Sequence, residues 1–137
     1  MGTTFCTWTS DSPLPLRGVG VDTERIDRFG REPLEGVFGP EERRRASCDG
    51  EWDAVRLCAG FCVKEALWKA LEEPYDLREC EVNIEPGTGR TAVRLHGDLA
   101  DRLRGMVLEV HVWQDSQEVR AAVLIHDGPS SREGEAG

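Results

Sequence analysis

Hydrophobic and polar positions along the 137-residue chain follow two different periods. Residues 16–26 alternate as in a strand, and apolar residues then recur at intervals of three and four between about 52 and 71, which predicts one long helix that ends before Pro74. In the second half the period is two, which predicts four strands at 79–86, 90–97, 106–114 and 118–126. The pattern therefore predicts an α+β domain in which one long helix packs on a mostly antiparallel sheet.

Composition changes near both ends divide the chain. Residues 1–16 are expected to form a poorly ordered lead, residues 17–126 a single domain, and residues 127–137 a disordered tail without an apolar anchor. Three short helices are also predicted, at Glu24–Phe29, from Pro40, and at 98–103 with Asp98 as the cap.

The net charge of −9 argues against nucleic acid as a partner, because phosphate binding depends on an excess of basic residues. The sequence contains no apolar run long enough to span a membrane and no secretory signal pattern, so a cytoplasmic location is expected. Arg25, Arg28 and Arg31 concentrate positive charge in the first third, either as a solvated face or as a docking patch for an acidic partner.

The five cysteines form no C-x-x-C pair, and the three histidines share no metal-ligand spacing with them. Zinc is therefore not expected. Cys58 and Cys62 lie four residues apart on the predicted long helix and are interpreted as small buried hydrophobic residues.

Two carboxylates at the end of the first predicted strand suggest a metal site. Asp22 and Glu24 project to the same face as Gly18 and Gly20, and glycine within a strand indicates that something approaches its backbone closely. Adjacent carboxylates repel unless a cation lies between them, and Mg²⁺ is the natural guest, with Glu65 as a third ligand. The alternative is a solvated strand end that leads into a helix cap.

Both lysines of the chain, Lys64 and Lys69, flank Glu65, whereas the other fifteen cations are arginines. Lys69 shares a helix face with Glu65, and Lys64 lies about 100° round the helix. A lysine supplies a compact, mobile charge that suits a reacting phosphate. The alternative is an ordinary amphipathic helix with a Glu–Lys pair that contributes about 0.3 kcal/mol.

The segment Val19-Gly20-Val21-Asp22, followed by FCVKEALWK at 61–69, resembles the signature of the 4'-phosphopantetheinyl transferase superfamily. The resemblance extends more faintly over residues 16–126. It implies the fold of that family and its reaction, in which the phosphopantetheine arm of coenzyme A moves to a serine of an apo carrier protein and adenosine 3',5'-bisphosphate is released.

The resemblance also implies roles for individual residues. Asp22 and Glu65 match the family's Mg²⁺ ligands, and Mn²⁺ would also fit them; Glu24 matches the extra ligand of the Sfp-like branch. Lys69 matches the lysine at the reacting phosphates, and Lys64 matches the lysine beside the glutamate, so both are expected at coenzyme A. Asp22, Glu65 and Lys69 are the expected catalytic residues, with Glu65 able to take the serine proton.

Partners follow from the same resemblance. An acidic apo acyl or peptidyl carrier protein is expected to dock on Arg25, Arg28 and Arg31. The chain has the length of the holo-acyl-carrier-protein synthase branch, which predicts a homotrimer; a heterologous partner that supplies the other half is the alternative.

Three positions depart from the family pattern. His111 and Gln114 stand where the synthase branch has serine and histidine, so Gln114 takes the position expected at coenzyme A, and Gly60 replaces an arginine. Two functions therefore remain open: an active transferase, or a catalytically altered homologue that binds or assembles carrier proteins or does other chemistry. An unrelated small α+β protein with accidental motifs is the third alternative.

Overall fold

A computed structural model of the chain describes residues 3–5, 14–85 and 88–129. Its strands are β1 (Thr3–Phe5), β2 (Leu16–Arg25), β3 (Ser47–Cys48), β4 (Glu51–Trp52), β5 (Cys80–Ile84), β6 (Thr91–Leu95), β7 (Met106–Gln114) and β8 (Glu118–Asp127). Its helices are α1 (Pro40–Ala46), α2 (Ala54–Leu71) and α3 (Gly97–Arg102), with 3-10 turns at Ile26–Arg28 and Leu77–Glu79. The α+β class predicted from the sequence is confirmed.

Two three-stranded antiparallel sheets, in the orders β2–β8–β7 and β1–β6–β5, form the framework, and β3 pairs with β4. The long helix α2 packs on β2 and β8 and also contacts β5. Ten of its 18 residues are buried, which is typical of a helix that neighbouring elements cover on more than one side. The main core therefore lies between α2 and the inner sheet faces.

The ends of α2 follow from its sequence. The Asp53 carboxylate accepts a hydrogen bond from the Arg56 backbone N–H, so the helix begins after Asp53, two residues later than predicted. At the other end Glu72 adopts a left-handed conformation with φ of 59°, and Pro74 follows.

Strand β2 presents two different faces. Its outward face carries Val19 and Val21, which are 51% and 61% exposed, whereas Gly18 and Gly20 face α2. A Cβ on Gly20 would collide with the Ala66 carbonyl oxygen. The close approach that the glycines predict is therefore confirmed, and the approaching group is the backbone of α2.

Gly20→Ala is expected to destabilise the domain by about 3 kcal/mol, because overpacking a tight contact forces backbone shifts of that order. Urea unfolding would measure the loss. Gly30→Ala is the matched control, since a Cβ there would have no described atom within 4 Å, and the stability of this variant is expected to stay equal or rise slightly. Equal stability of Gly20→Ala and Gly30→Ala would contradict the tight packing of β2 on α2.

Several boundaries differ from those predicted, including that of the helix expected at 24–29, where β2 runs to Arg25 and only the 3-10 turn Ile26–Arg28 follows. The cap of α3 is His96, while Asp98 lies in the first turn, where the Glu79 carboxylate accepts its N–H. Thr3–Phe5, within the predicted lead, pairs with β6. Asp127, assigned to the tail, ends β8 and binds Arg17 at 2.6 Å. Residues 130–137 of the predicted tail lie outside the described residues, and so do residues 1–2 and 6–13 of the lead.

None of the helices in the described part of the chain combines the length and apolarity needed to cross a bilayer.

Candidate functional site

The acidic end of β2 faces the middle of α2, and the Asp22 side chain lies between them with 10% of its surface exposed. The Lys69 ammonium donates to Asp22 Oδ1 at 3.0 Å and to the Val21 carbonyl at 3.1 Å. Asp22 Oδ2 is buried, and none of the described residues gives it a hydrogen bond. A buried, unpaired carboxylate oxygen is costly, so this atom is a natural site for a further cation.

Two more carboxylates share this environment. Burial raises the pKa of Glu24 to about 7, and the neighbouring Asp22 carboxylate adds to the shift, while the Arg28 guanidinium at 3.4 Å opposes it. Burial also raises the pKa of Glu65, with Asp22 adding to the shift and Lys69 opposing it. The Asp22 carboxylate raises the pKa of Lys69 through their hydrogen bond. The structure thus brings these four predicted site residues of β2 and α2 together.

The raised pKa of Glu24 predicts a pH-dependent stability in the absence of divalent ions. A carboxyl that titrates at about 7 in the folded state and at about 4.5 when unfolded holds its proton more tightly when folded. Its contribution to the free energy of unfolding therefore falls as the pH rises through that window and stays constant above it. Urea unfolding across this window in a chelator should show the decline, and Glu24→Gln should remove it.

Asp27→Asn is the matched control for Glu24→Gln. Asp27 is exposed, and its hydrogen bond to Arg25 lowers its pKa from 3.8, which places its titration below the window of Glu24. The decline should persist in Asp27→Asn. An unchanged decline in Glu24→Gln would show that Glu24 is not its source.

The carboxylates do not form a ready-made metal cage. Among residues 14–85 and 88–129, no group of three or more His, Cys, Asp or Glu side chains is arranged to hold a metal ion. The cation that contacts Asp22 in this structure is the Lys69 ammonium, whose side chain is 55% exposed. Asp22, Glu24 and Glu65 are the carboxylates here that could hold a metal ion, and the buried Asp22 Oδ2 lies among them.

Lys64 has a different environment from the one predicted. Its side chain is fully buried, and its ammonium donates to Glu42 Oε1 at 2.9 Å, to the Leu77 carbonyl at 2.9 Å and to the Cys80 carbonyl. The Phe38 ring lies over this ammonium, with 5.4 Å between Lys64 Nζ and the ring centroid. The prediction that Lys64 binds coenzyme A does not fit this position, because all three donors point into the protein.

Glu42 is the partner that sequence reasoning missed. Its Oε1 also accepts the Gly39 N–H, and its Oε2 accepts the Val82 N–H, each at 2.9 Å. Glu42 thereby links the start of α1 to α2 and β5. The available signal was its position three residues after Gly39, which matches the glutamate of a capping box.

Gln114 and Gly60, which depart from the family pattern, lie away from the acidic group, a name used for Asp22, Glu24 and Glu65 with the paired Lys69. Gln114 is exposed at the end of β7; it pairs with Val119, which in turn pairs with Glu24 on the other side of β8. Gln114, Val119 and Glu24 are therefore aligned across the three strands, with Gln114 on β7 and Glu24 on β2. A Cβ on Gly60 would lie 3.1 Å from the Phe38 ring, so any side chain there would disturb the cover of Lys64.

The three predicted docking arginines follow the acidic end of β2. Arg25 is exposed and paired with Asp27 at 3.1 Å, and Arg28 is paired with Glu24. Arg28 and Arg31 line a cleft of about 610 Å³ with apolar walls that include Phe29 and Phe61. Acidic neighbours offset part of the positive charge, so the patch is smaller than the sequence suggests.

Comparisons with known proteins agree with one another. A holo-[acyl-carrier-protein] synthase of Anaeromyxobacter dehalogenans is 40% identical over 125 residues, which cover 82% of this chain and 88% of that protein. The structure of the Mycobacterium tuberculosis acyl carrier protein synthase is 30% identical, with a TM-score of 0.65 over 82% of this chain and 98% of that chain. A Chronobacterium ammoniagenes ACPS–CoA complex is 26% identical, with a TM-score of 0.64 over 80% and 96% of the two chains.

A family match covers the part of the chain that builds the acidic group. The sequence model described as the 4'-phosphopantetheinyl transferase superfamily matches residues 18–123, from Gly18 in β2 to the middle of β8. This range spans most of the chain, and it includes Asp22, Glu24, Glu65 and Lys69. With full-length relatives at 30% identity or more, the chain belongs to the 4'-phosphopantetheinyl transferase superfamily.

Proposed function

We propose that this chain transfers the 4'-phosphopantetheine arm of coenzyme A to a serine of an apo carrier protein, in a reaction that depends on Mg²⁺. The observation that carries the proposal is the meeting of Asp22, Glu65 and Lys69 between β2 and α2, inside the segment that the family match covers. Relatives named holo-[acyl-carrier-protein] synthase and a structure with coenzyme A support this reaction and this co-substrate.

The reaction is a phosphoryl transfer. The serine oxygen bonds to the phosphorus that carries the pantetheine arm, and the bond from that phosphorus to the bridging diphosphate oxygen breaks, which releases adenosine 3',5'-bisphosphate. The serine proton goes to a base. Glu65 suits that role, because burial raises its pKa and brings its proton affinity closer to that needed at neutral pH.

The acidic group fits a divalent ion in one specific respect. Asp22 Oδ2 is a buried acceptor to which no described residue donates, and its charge adds to the burial that raises the pKa values of Glu24 and Glu65. Asp22, Glu24 and Glu65 would hold Mg²⁺ or Mn²⁺, both of which favour oxygen ligands. When bound, the ion would neutralise charge on the diphosphate.

Lys69 is the residue of this group that reaches solvent. Its side chain is 55% exposed, and its ammonium is held by Asp22 and the Val21 carbonyl rather than by a buried cage. A compact, mobile charge in this position is suited to pair with a phosphate oxygen of coenzyme A. Lys69 therefore serves as the phosphate ligand, whereas Lys64 stabilises the fold.

An acidic carrier protein is the proposed protein partner. Arg28 and Arg31 border an apolar cleft next to Phe61, which lies one helical turn before Glu65 on α2. A carrier helix with acidic and apolar residues would complement this cleft in both charge and apolarity. Docking there would place a carrier serine near the acidic group.

Self-association is proposed through the outer face of the β2–β8–β7 sheet. Val21 projects from this face, Ala122 lies beside it on β8, and His111 lies beside Ala122 on β7. The His111 ring stacks on Trp113, which is 56% exposed, with ring centroids 5.8 Å apart. An apolar and aromatic face of this kind is typical of an interface, and a homotrimer would cover it.

Light scattering on the purified chain is expected to give three times the chain mass of 15.3 kDa. Val21→Lys would place a charge in the interface and should reduce the mass to that of one chain. Leu34→Lys is the matched control, because Leu34 is 79% exposed in the loop before α1, and this variant should keep the parent mass. A parent mass of one chain would contradict the trimer and favour a heterologous partner for this face.

Intact-mass analysis of an apo carrier protein tests the proposed reaction. With this chain, coenzyme A and Mg²⁺, the carrier should gain roughly 340 Da, the mass of the transferred arm, and a chelator should prevent the gain. A serine-to-alanine carrier controls for the attachment site. No gain with any candidate carrier, despite coenzyme A binding, would contradict the transfer and favour the altered homologue that Gln114 and Gly60 leave open.

A further inference from the structure

The contact between α2 and β2 is a regular seam in which helix positions four apart meet strand positions two apart. Four residues advance an α-helix by about 6.0 Å and two residues advance a strand by about 6.8 Å, so the two series stay nearly in step. The pairs along the seam are Ala70 with Gly18, Ala66 with Gly20, Cys62 with Asp22, and Cys58 with Glu24.

The two halves of the seam differ in chemistry. In the uncharged half, Gly18 and Gly20 allow the backbone of β2 to contact the backbone of α2. In the acidic half, thiols fill the gap: Cys62 Sγ donates to the Asp22 carbonyl at 3.2 Å, and Cys58 Sγ donates to the Glu24 carbonyl at 3.6 Å. The Cys62 thiol also lies 3.5 Å from the Val119 carbonyl of β8.

Both thiols are enclosed by the protein, since Cys58 and Cys62 are fully buried. Water therefore does not compete with the Asp22 and Glu24 carbonyls for the two thiol donors.

We propose that Cys58 and Cys62 are positioning residues that hold the acid-bearing end of β2 at a fixed distance from α2, and so set the separation of Asp22 and Glu24 from Glu65. Glu65 follows Cys62 by three residues on the same helix, so the thiol contact and the third carboxylate lie within one turn. The part of this inference that concerns metal affinity rests on the proposed function. The part that concerns the strand does not.

Amide hydrogen exchange of the metal-free protein tests the strand. We compare the amide exchange rate of residues 20–24 with that of residues 16–19. Cys62→Ala should raise the ratio of the first rate to the second about fivefold, as expected for the loss of one hydrogen bond. Cys62→Ser restores a donor and should recover part of the protection. Cys80→Ala is the matched control, since Cys80 is equally buried but lies on β5, beside Lys64 and Tyr75, and should leave that ratio unchanged.

Mn²⁺ binding by calorimetry tests the consequence for the site. Cys62→Ala should bind Mn²⁺ roughly 10-fold more weakly than the parent, the usual effect of losing a group that orients a metal ligand. Cys80→Ala should bind it as the parent does. A parent that binds no Mn²⁺ would overturn the metal proposal, and the exchange ratio alone would then decide the role of the thiols. Equal ratios in Cys62→Ala and Cys80→Ala, or equal Mn²⁺ affinity in the parent and Cys62→Ala, would overturn this inference.

Discussion

Asp22→Asn is expected to lower phosphopantetheine transfer by about 10³-fold or more, because it removes a charge that holds a metal ion in the proposed reaction. Asparagine keeps the shape of the side chain and an oxygen for the Lys69 hydrogen bond. It also removes a buried carboxylate oxygen without a partner and the repulsion of Glu24. The free energy of unfolding should therefore stay equal or rise while activity disappears.

Glu65→Gln should produce a similar loss, for the additional reason that it removes the proposed base for the serine proton. Intact-mass assays under single-turnover conditions, with urea unfolding of each variant, separate the chemistry from folding. Asp101→Asn is the control, since Asp101 is an exposed acid on α3 paired with Arg104. Asp22→Asn with parent-like activity would contradict the assignment of the acidic group to catalysis.

Glu42→Gln is expected to destabilise the domain by about 3 kcal/mol, since it leaves a fully buried ammonium without a counter-charge. The amide would also present a donor in a network where Gly39, Lys64 and Val82 already donate. Urea unfolding would measure the loss. The double variant Glu42→Gln/Lys64→Met also removes the unpaired Lys64 ammonium, so it should be more stable than Glu42→Gln alone.

Arg44→Gln is the control for this effect, because the Glu41–Arg44 pair is exposed and solvent-screened, so its loss should change the free energy of unfolding far less than Glu42→Gln does. The same variants distinguish the two roles of the lysines. Lys64→Met should leave the KM for coenzyme A unchanged in the folded protein, whereas Lys69→Met should raise the KM or lower kcat strongly. A large rise of the KM in Lys64→Met at unchanged stability would return Lys64 to the coenzyme A site.

The sequence predicted the acidic group because alternation within a strand and spacing along a helix are local properties. Asp22 and Glu24 had to share a face of β2 with Gly18 and Gly20, and Glu65 had to share a face of α2 with Lys69. The family resemblance, now shown by the match over residues 18–123, joined the two segments. Periodicity alone could not place them in contact.

Lys64 shows where such reasoning ends. Its position next to Glu65 suggested a shared task, but neighbouring residues on a helix point about 100° apart. The Lys64 side chain is held in the core by Glu42, which lies 22 residues earlier on another helix, and the local sequence around Lys64 does not show this. The thiols of Cys58 and Cys62 were similarly predicted as simple buried groups, because their carbonyl partners on β2 follow only from the packing of α2.

An anomalous-scattering crystal structure of the chain with Mn²⁺ and coenzyme A would show whether the acidic group holds the ion. A Mn²⁺ peak is expected in contact with the Asp22 and Glu65 carboxylates and a diphosphate oxygen, with the Lys69 ammonium moved from Asp22 Oδ1 to a phosphate. A peak elsewhere in the presence of bound coenzyme A, with Lys69 still bound to Asp22, would contradict it.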